Sequence, residues 1–310
     1  MVLDPQIKNF LDLVSKLPQP DLSKITPQEF RNLFKQASLM LISSKIEVKN
    51  VRDLEISVNG GKIKLRIYEP IKGEKPYPAI VYYHGGGFVL GDLDTYDNVC
   101  RLLANSSECL VISVDYRLAP EYKFPVAVYD SYEALKWVYL NANKIDANAS
   151  KIAVAGDSAG GNLATVVSIV SRDKKEEIVK YQVLIYPVVN MLDLSPSVVE
   201  FSEGYFLTFE QMSWFGRQYF KDPKDYLHPY ASPLFADLSN LPPALIITAE
   251  YDPLRDQGET YANILKSKGN LVTCIRYQGM IHGFINLIDL VETSKVAIYN
   301  IAGAIRRHLK

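Results

Sequence analysis

Ser158 stands in Gly156-Asp157-Ser158-Ala159-Gly160, between an apolar run at 152–155 and a helix-like run at 159–171. A chain that passes from buried strand to helix with almost no turn material bends sharply at the serine. Gly156 and Gly160 leave the bend without Cβ atoms where neighbouring backbone crowds it. A hydroxyl held on such an elbow, with a helix N-terminus beneath it, is placed for nucleophilic attack. The pentapeptide alone carries little weight, because glycine and serine are common and many matches are plain loops. Other residues must complete the chemistry.

A serine hydroxyl is a poor nucleophile without a base, and histidine is the usual one. Of the four histidines, His84 adjoins a glycine run, His228 lies in Leu-His-Pro-Tyr, and His308 is near the end of the chain. His282, in Gly279-Met-Ile-His282-Gly283-Phe284, follows the last expected strand and precedes a helix. That places it on the same sheet edge as Ser158, and it is the expected base. A carboxylate must then fix its tautomer and stabilise the imidazolium. The apolar run at 244–248 leads into Ala249-Glu250-Tyr251-Asp252-Pro253-Leu254-Arg255-Asp256. Asp252, in the loop just past that strand, is the expected acid, with Glu250 as the alternative. Asp256 reads as a charge near the start of the next helix. The roles arrive in the order Ser158, Asp252, His282, each after a strand.

Acyl transfer places negative charge on the carbonyl oxygen, and backbone N–H groups stabilise it where no side chain obstructs them. His84-Gly85-Gly86-Gly87-Phe88 follows the strand expected at 79–83. Gly85 and Gly86 are the expected donors, with the N–H of Ala159 as the third. A phosphate loop is not indicated, since no Gly-Lys-Ser/Thr follows and the spacing is not Gly-x-Gly-x-x-Gly.

The elements that position these residues can be read from periodicity. Residues 4 to about 44 read as helical, with Asp4-Pro5 opening the first helix, Pro18 and Pro20 stopping it, and a Thr26…Glu29 capping box starting the second. Alternation at 54–58 and 63–67 around Asn59-Gly60-Gly61 predicts a hairpin. Strands at 79–83, 109–115, 152–155, 182–186, 244–248 and 272–277 then alternate with helices at 95–106, 125–139, 159–171 and 292–309. That rhythm predicts an α/β fold, a mostly parallel sheet flanked by helices. Residues 189–240 break it: they hold aromatics and a helical run at 209–220 but no convincing strand. An insertion this long after a strand is expected over the site.

Composition excludes several classes. Among 310 residues, 48% are hydrophobic and 22% charged, as in an ordinary globule. A net charge of -1 with no basic block gives no reason to expect nucleic acid. Three scattered cysteines argue against a disulfide framework or a zinc site and for a reducing cytoplasm. Asp4, Pro5 and Gln6 stand where a signal peptide needs basic and apolar residues, and no apolar run reaches a membrane span. The 20 tyrosines and sparse glutamine lean toward a thermophilic source.

The segments His84-Gly-Gly-Gly-Phe88, Asp115-Tyr-Arg-Leu-Ala-Pro-Glu121, Gly156-Asp-Ser-Ala-Gly-Gly-Asn162, Asp252-Pro-Leu-Arg-Asp256 and His282-Gly-Phe284 together resemble one family. It is the hormone-sensitive-lipase-like family of α/β-hydrolase esterases, in its bacterial and archaeal branch, matched from about residue 53 onward. The resemblance implies carboxylesterase activity on short to medium acyl esters, without cofactor or metal, and a small-molecule ester substrate. It implies one domain over 1–310, with a core of roughly 46–188 and 241–310 and a cap of 1–45 and roughly 189–240. A homodimer is the one macromolecular partner allowed for. Phe34, Phe88, Phe206, Leu207 and Ile281 are candidate walls of the substrate site, with Phe30 and Leu33 beside them. Packing within the cap is the alternative for the cap residues. Arg117 and Glu121 are expected to pair and brace a turn, and Asp157 to position rather than to react. A non-catalytic small-molecule receptor on the same scaffold, or an amide or formamide hydrolase, stays open at this point.

Overall fold

A computed structural model describes residues 2–17 and 19–309; the expected stop at Pro18 lies outside the described residues. Asp4 accepts the Gln6 N–H at 2.8 Å and opens α1 (Pro5–Val14). Thr26 and Glu29 exchange bonds of 2.9 and 3.2 Å as a capping box for α2 (Pro27–Met40). Pro27 has no N–H to satisfy, and two of the three remaining orphan N–H groups are satisfied this way, so the helix starts where its sequence says it must.

The hairpin is β1 (Asn50–Val58) and β2 (Gly61–Glu69), antiparallel with Val58 opposite Gly61. The chain continues through β3 (Tyr77–Tyr83), α3 (Asp97–Ser107), β4 (Leu110–Asp115), α4 (Val126–Leu140), β5 (Ala147–Asp157), α5 (Ala159–Asp173) and β6 (Val179–Ile185). After α6 (Pro196–Glu200) and α7 (Phe209–Tyr219) come β7 (Ala244–Tyr251), α8 (Arg255–Ser267), β8 (Val272–Ile281) and α9 (Glu292–Leu309). The eight strands lie in the order β1-β2-β4-β3-β5-β6-β7-β8, with β2 antiparallel to both neighbours and the rest parallel.

Alternation along each central strand divides the core. Ala79, Val81 and Tyr83 face the side covered by α4, α5 and α8, while Ile80 and Tyr82 face α3 and α9. Each large apolar side chain removed from water on these faces contributes about 1.5–3 kcal/mol. The chain runs from β3 outward to β4 and returns to β5 on the opposite side of β3. Loops leaving the carboxyl ends of β3 and β5 therefore diverge, and a crevice opens between them. His84 with the glycine run after it, and Ser158, are the first residues of those two loops.

Among the described residues, 189–240 contain no strand. Thr208 and Gln211 form a second capping box at the start of α7. At its other end the Lys123 ammonium donates to the carbonyls of Arg217, Gln218 and Phe220. A cation there complements the helix dipole. The Phe30 ring of α2 lies 5.4 Å from Trp214 and 6.3 Å from Phe215, both on α7. Phe30 thus joins the N-terminal helices to the insertion. Phe10 of α1 lies 5.5 Å from Phe206.

One expected pair does not form. Arg117 is bidentate to Asp130 and donates to the carbonyls of Asn59 and Gly60 in the hairpin turn. Glu121 pairs instead with Arg31 of α2. Asp130 is buried and reaches Arg117 from α4, which a reading along the chain does not anticipate. Among the described residues no helix is long and apolar enough to cross a membrane.

Candidate active site

β5 ends at Asp157 and α5 begins at Ala159, so Ser158 alone makes the turn, at φ 56° and ψ -118°. A non-glycine residue held there stores about 1–3 kcal/mol of strain. Its surroundings enforce it: the Ser158 N–H donates to Ile185 O at 2.9 Å, and Ser158 O accepts from Asn162 at 3.0 Å. At Gly160 a Cβ would lie 1.9 Å from the Tyr83 carbonyl oxygen at the end of β3, so any side chain there would push the elbow off the sheet.

His282, in the loop leaving β8, places Nε2 2.9 Å from Ser158 Oγ and Nδ1 2.8 Å from Asp252 Oδ2. Asp252 is completely buried just past β7, and its other oxygen takes the Leu254 N–H at 2.8 Å. A carboxylate only accepts, so Nδ1 carries the ring proton and Nε2 presents its lone pair to the serine hydroxyl. The Tyr186 ring packs 4.6 Å from the imidazole. Glu250, the alternative acid, takes the Gly279 N–H at 2.7 Å and ties β7 to β8. Asp256 accepts from the Ser197 N–H and from Arg255 at 2.8 Å each.

The glycine loop departs from expectation at its first residue. The Gly85 N–H donates to Asp157 Oδ1 at 3.0 Å and to the Tyr96 hydroxyl at 3.1 Å. It is not available to an oxyanion, and Gly85 is corrected from donor to anchor. The N–H groups of Gly86, Gly87 and Ala159 have no partner among the described residues. In a trans peptide N–H and C=O point in opposite directions. Gly85 O accepts from His84 Nδ1 at 2.8 Å, and Gly86 O from Val89 and Leu90 at 3.1 and 2.8 Å. Gripping those two carbonyls aims the N–H groups of Gly86 and Gly87 the other way.

Asp157 also accepts from the hydroxyls of Tyr82 and Tyr96, at 2.9 and 3.0 Å. Burial pushes its carboxyl up to about 6 against these donors. His84 is fully buried between the rings of Tyr96 and Tyr116. Burial lowers it to about 4, so the ring is neutral and braces the loop.

A family model described as the alpha/beta hydrolase fold matches residues 80–286. An arylesterase of Saccharolobus solfataricus is 42% identical over 92% of this chain and 93% of its own. The chain belongs to the hormone-sensitive-lipase-like family of α/β-hydrolases. A carboxylic ester hydrolase of Mycobacterium tuberculosis is 42% identical over 84% of this chain and 71% of its own. Among solved structures, a hyperthermophilic esterase from the archaeon Pyrobaculum calidifontis superposes with a TM-score of 0.96, at 51% identity over 99% of both chains.

In this α/β-hydrolase the candidate walls separate. Phe88, at φ 64°, is buried and stacks 3.9 Å from Tyr219. Ile281 is fully buried with Met280 and Ile285 in the cluster that α9 covers. Both pack within the core clusters. Phe34 is half-buried against the opposite cluster, and Leu207 is buried. Phe206 is 39% exposed, and a Cβ on Gly283 would lie 3.2 Å from its ring, so it sits beside the residue that follows His282. Gly87, Tyr96, Tyr186 and Asn286 were not singled out from the sequence. Gly87 carried a signal, as the third glycine of the run; the other three carried none.

Proposed function

We propose that the protein is a serine carboxylesterase acting on short to medium acyl esters. Ser158 Oγ attacks the ester carbonyl as His282 Nε2 takes its proton. Asp252 holds the imidazole in register and stabilises its charged form. The oxyanion is taken by the N–H groups of Gly86, Gly87 and Ala159, where loss of one donor typically costs about 10²–10³ in rate. His282 then protonates the leaving alcohol. Water, deprotonated by the same ring, attacks the acyl-enzyme and releases the acid.

The observation that carries this reading is the continuous chain Ser158–His282–Asp252 at 2.9 and 2.8 Å. A receptor has no need of an aligned base and acid behind its serine. The cap over the crevice is assigned to residues 1–45 and roughly 189–240, supported by the contacts of Phe30 and Phe10 described above. Free cysteines, two of them buried, support a cytoplasmic setting. The hyperthermophilic relative supports a high working temperature.

The test is an acyl-chain series of chromogenic esters run beside a matching anilide, with a fluorophosphonate as the covalent probe. Ester turnover, and one label at Ser158 that Ser158→Ala abolishes, are expected. Anilide turnover matching the ester would move the reading to an amidase. Turnover of neither would favour a receptor.

A further inference from the structure

We propose that Arg31, on α2, is a positioning residue for the oxyanion donors and acts on them through the backbone of the glycine loop. This rests on the esterase reading above.

The Arg31 side chain is 18% exposed, and its guanidinium uses three edges at once. Nε donates to the Val89 carbonyl at 2.8 Å. Nη2 donates to the Ala119 carbonyl at 2.6 Å. Nη1 and Nη2 together grip Glu121, at 2.8 and 2.6 Å. The Ala119 N–H in turn donates to Phe88 O at 2.9 Å. Arg31, Val89, Phe88 and Ala119 thus close a ring that fastens residues 88–89 to the loop after β4. A planar fork meets two carbonyls and a carboxylate in fixed directions, a geometry that the point charge of an ammonium does not reproduce.

Those two residues finish the turn that aims the Gly87 N–H. The carbonyl of Gly86 is held by the N–H groups of Val89 and Leu90, and the Gly87 N–H lies on the other end of that same planar peptide. Gly87 has φ 61° and no side chain of its own to fix it. Its position depends on what holds the turn. On the side of the Val89 carbonyl that is Arg31, a residue of the cap. Oxyanion donors must sit within a few tenths of an ångström of the developing charge, so a slack turn reduces transition-state binding more than ground-state binding.

Lys35, one turn further along α2, gives the natural control. Its ammonium contacts Asp92 and Asp94 at 2.6 and 2.7 Å, beyond the turn. It docks the same helix without touching residues 86–89.

The experiment compares full-length Arg31→Met, Arg31→Lys, Glu121→Gln and Lys35→Met with wild type. It reads kcat and KM on p-nitrophenyl butyrate, the phosphonylation rate by a fluorophosphonate, and the melting temperature. Arg31→Met is expected to lower kcat and the phosphonylation rate by about tenfold or more, with KM within about twofold. Arg31→Lys, which keeps a charge and some donors, should recover part of kcat. Lys35→Met should keep wild-type kcat. A kcat for Arg31→Met within about twofold of wild type, or a loss carried in KM alone, overturns the proposal. So does an equal loss of kcat in Lys35→Met, since helix docking would then explain both. If Arg31→Met does not fold, Glu121→Gln decides: its residue is half exposed, and freeing the fork should lower kcat a few-fold, whereas unchanged kcat overturns the proposal. Failure of the esterase reading looks different, because wild type itself would then show no ester turnover and no label at Ser158, and the proposal falls with it.

Discussion

Asp157 Oδ1 accepts the backbone N–H of Gly85 at 3.0 Å, joining the residue before Ser158 to the first glycine of the run at 85–87. The same carboxylate takes the hydroxyls of Tyr82 and Tyr96. Tyr96 in turn accepts from Asn286 Nδ2 at 3.4 Å, in the turn that follows His282. Elbow, glycine loop and base loop are therefore hydrogen-bonded through one buried anion. Gly85 leaves no room for error in this junction: a Cβ would lie 2.5 Å from Asp157 Oδ2 and 2.9 Å from the Tyr96 oxygen. Gly85→Ala is expected to cost about 1–3 kcal/mol of stability by overpacking. It should also lower kcat, because the displaced carboxylate carries the loop with it. Urea titration and steady-state rates check both parts.

Asp157 also makes stability depend on pH. Burial raises its carboxyl from 3.8 to about 6, so between those values the folded protein binds more of the proton than the unfolded chain does. Stability contributed by this group therefore falls as pH rises through that window and levels off above it, by on the order of 3 kcal/mol. Asp157→Asn cannot titrate. The difference in unfolding free energy, wild type minus variant, should decrease between pH 4 and 6.5. Groups common to both proteins cancel in that difference, and parallel curves would show that Asp157 does not titrate there.

The choice of acid is tested by two isosteric changes. Asp252 Oδ2 lies 2.8 Å from His282 Nδ1, whereas Asp256 is committed to Ser197 and Arg255. Asp252→Asn should lower kcat by up to about 10⁴, through loss of the charge and of the tautomer it selects. Asp256→Asn should stay within about tenfold, because it alters only the seating of α6 on α8. Equal losses would mean that the rate follows general disruption of this loop.

Much of this site could be read from residue order. Each member of the proposed triad closely follows a strand, and parallel strands deliver their carboxyl ends to one edge, so Ser158, Asp252 and His282 converge without knowledge of packing. The strands and helices carried the same clarity, because their burial alternates or recurs at fixed period. Positions decided by contacts across the chain were opaque. Whether Gly85 or Gly87 offers a free N–H depends on Asp157 and Tyr96. Whether Phe88 lines a cavity depends on Tyr219, which stacks on it from α7. Arg117 finds Asp130 and not Glu121 because Arg31, from a helix laid down before the sheet, occupies the glutamate. None of these partners is marked by local spacing.

Arg117 and Asp130 give a stability prediction free of catalysis. Their side chains are 13% and 1% exposed, and Arg117 also caps two carbonyls of the β1–β2 turn. Removing one partner of a buried pair strands the other charge. Asp130→Ala should cost about 3–5 kcal/mol. Folded Asp130→Ala should retain kcat at room temperature, since neither residue touches the elbow or the glycine loop. A denaturant midpoint unchanged from wild type would show that Arg117 finds other acceptors.

Phe206 bears on selectivity. Its backbone is held at φ 77°, the residue is 39% exposed, and a Cβ added at Gly283, next to His282, would lie 3.2 Å from its ring. In the proposed mechanism His282 delivers its proton to the leaving oxygen, so a side chain beside that ring would face the alcohol half of the ester more than the acyl half. A methylene in contact with such a wall is worth about 0.8 kcal/mol, or roughly fourfold in kcat/KM. Phe206→Ala should therefore flatten the rise of kcat/KM along a series of acetate esters of lengthening alcohols. The dependence on acyl length, measured on p-nitrophenyl esters, should change less. The fold should survive, because Phe206 packs on Phe10 and lies in neither core cluster. If instead the acyl series flattens and the alcohol series does not, the two halves of the ester lie the other way round in the crevice, with the acyl chain passing His282.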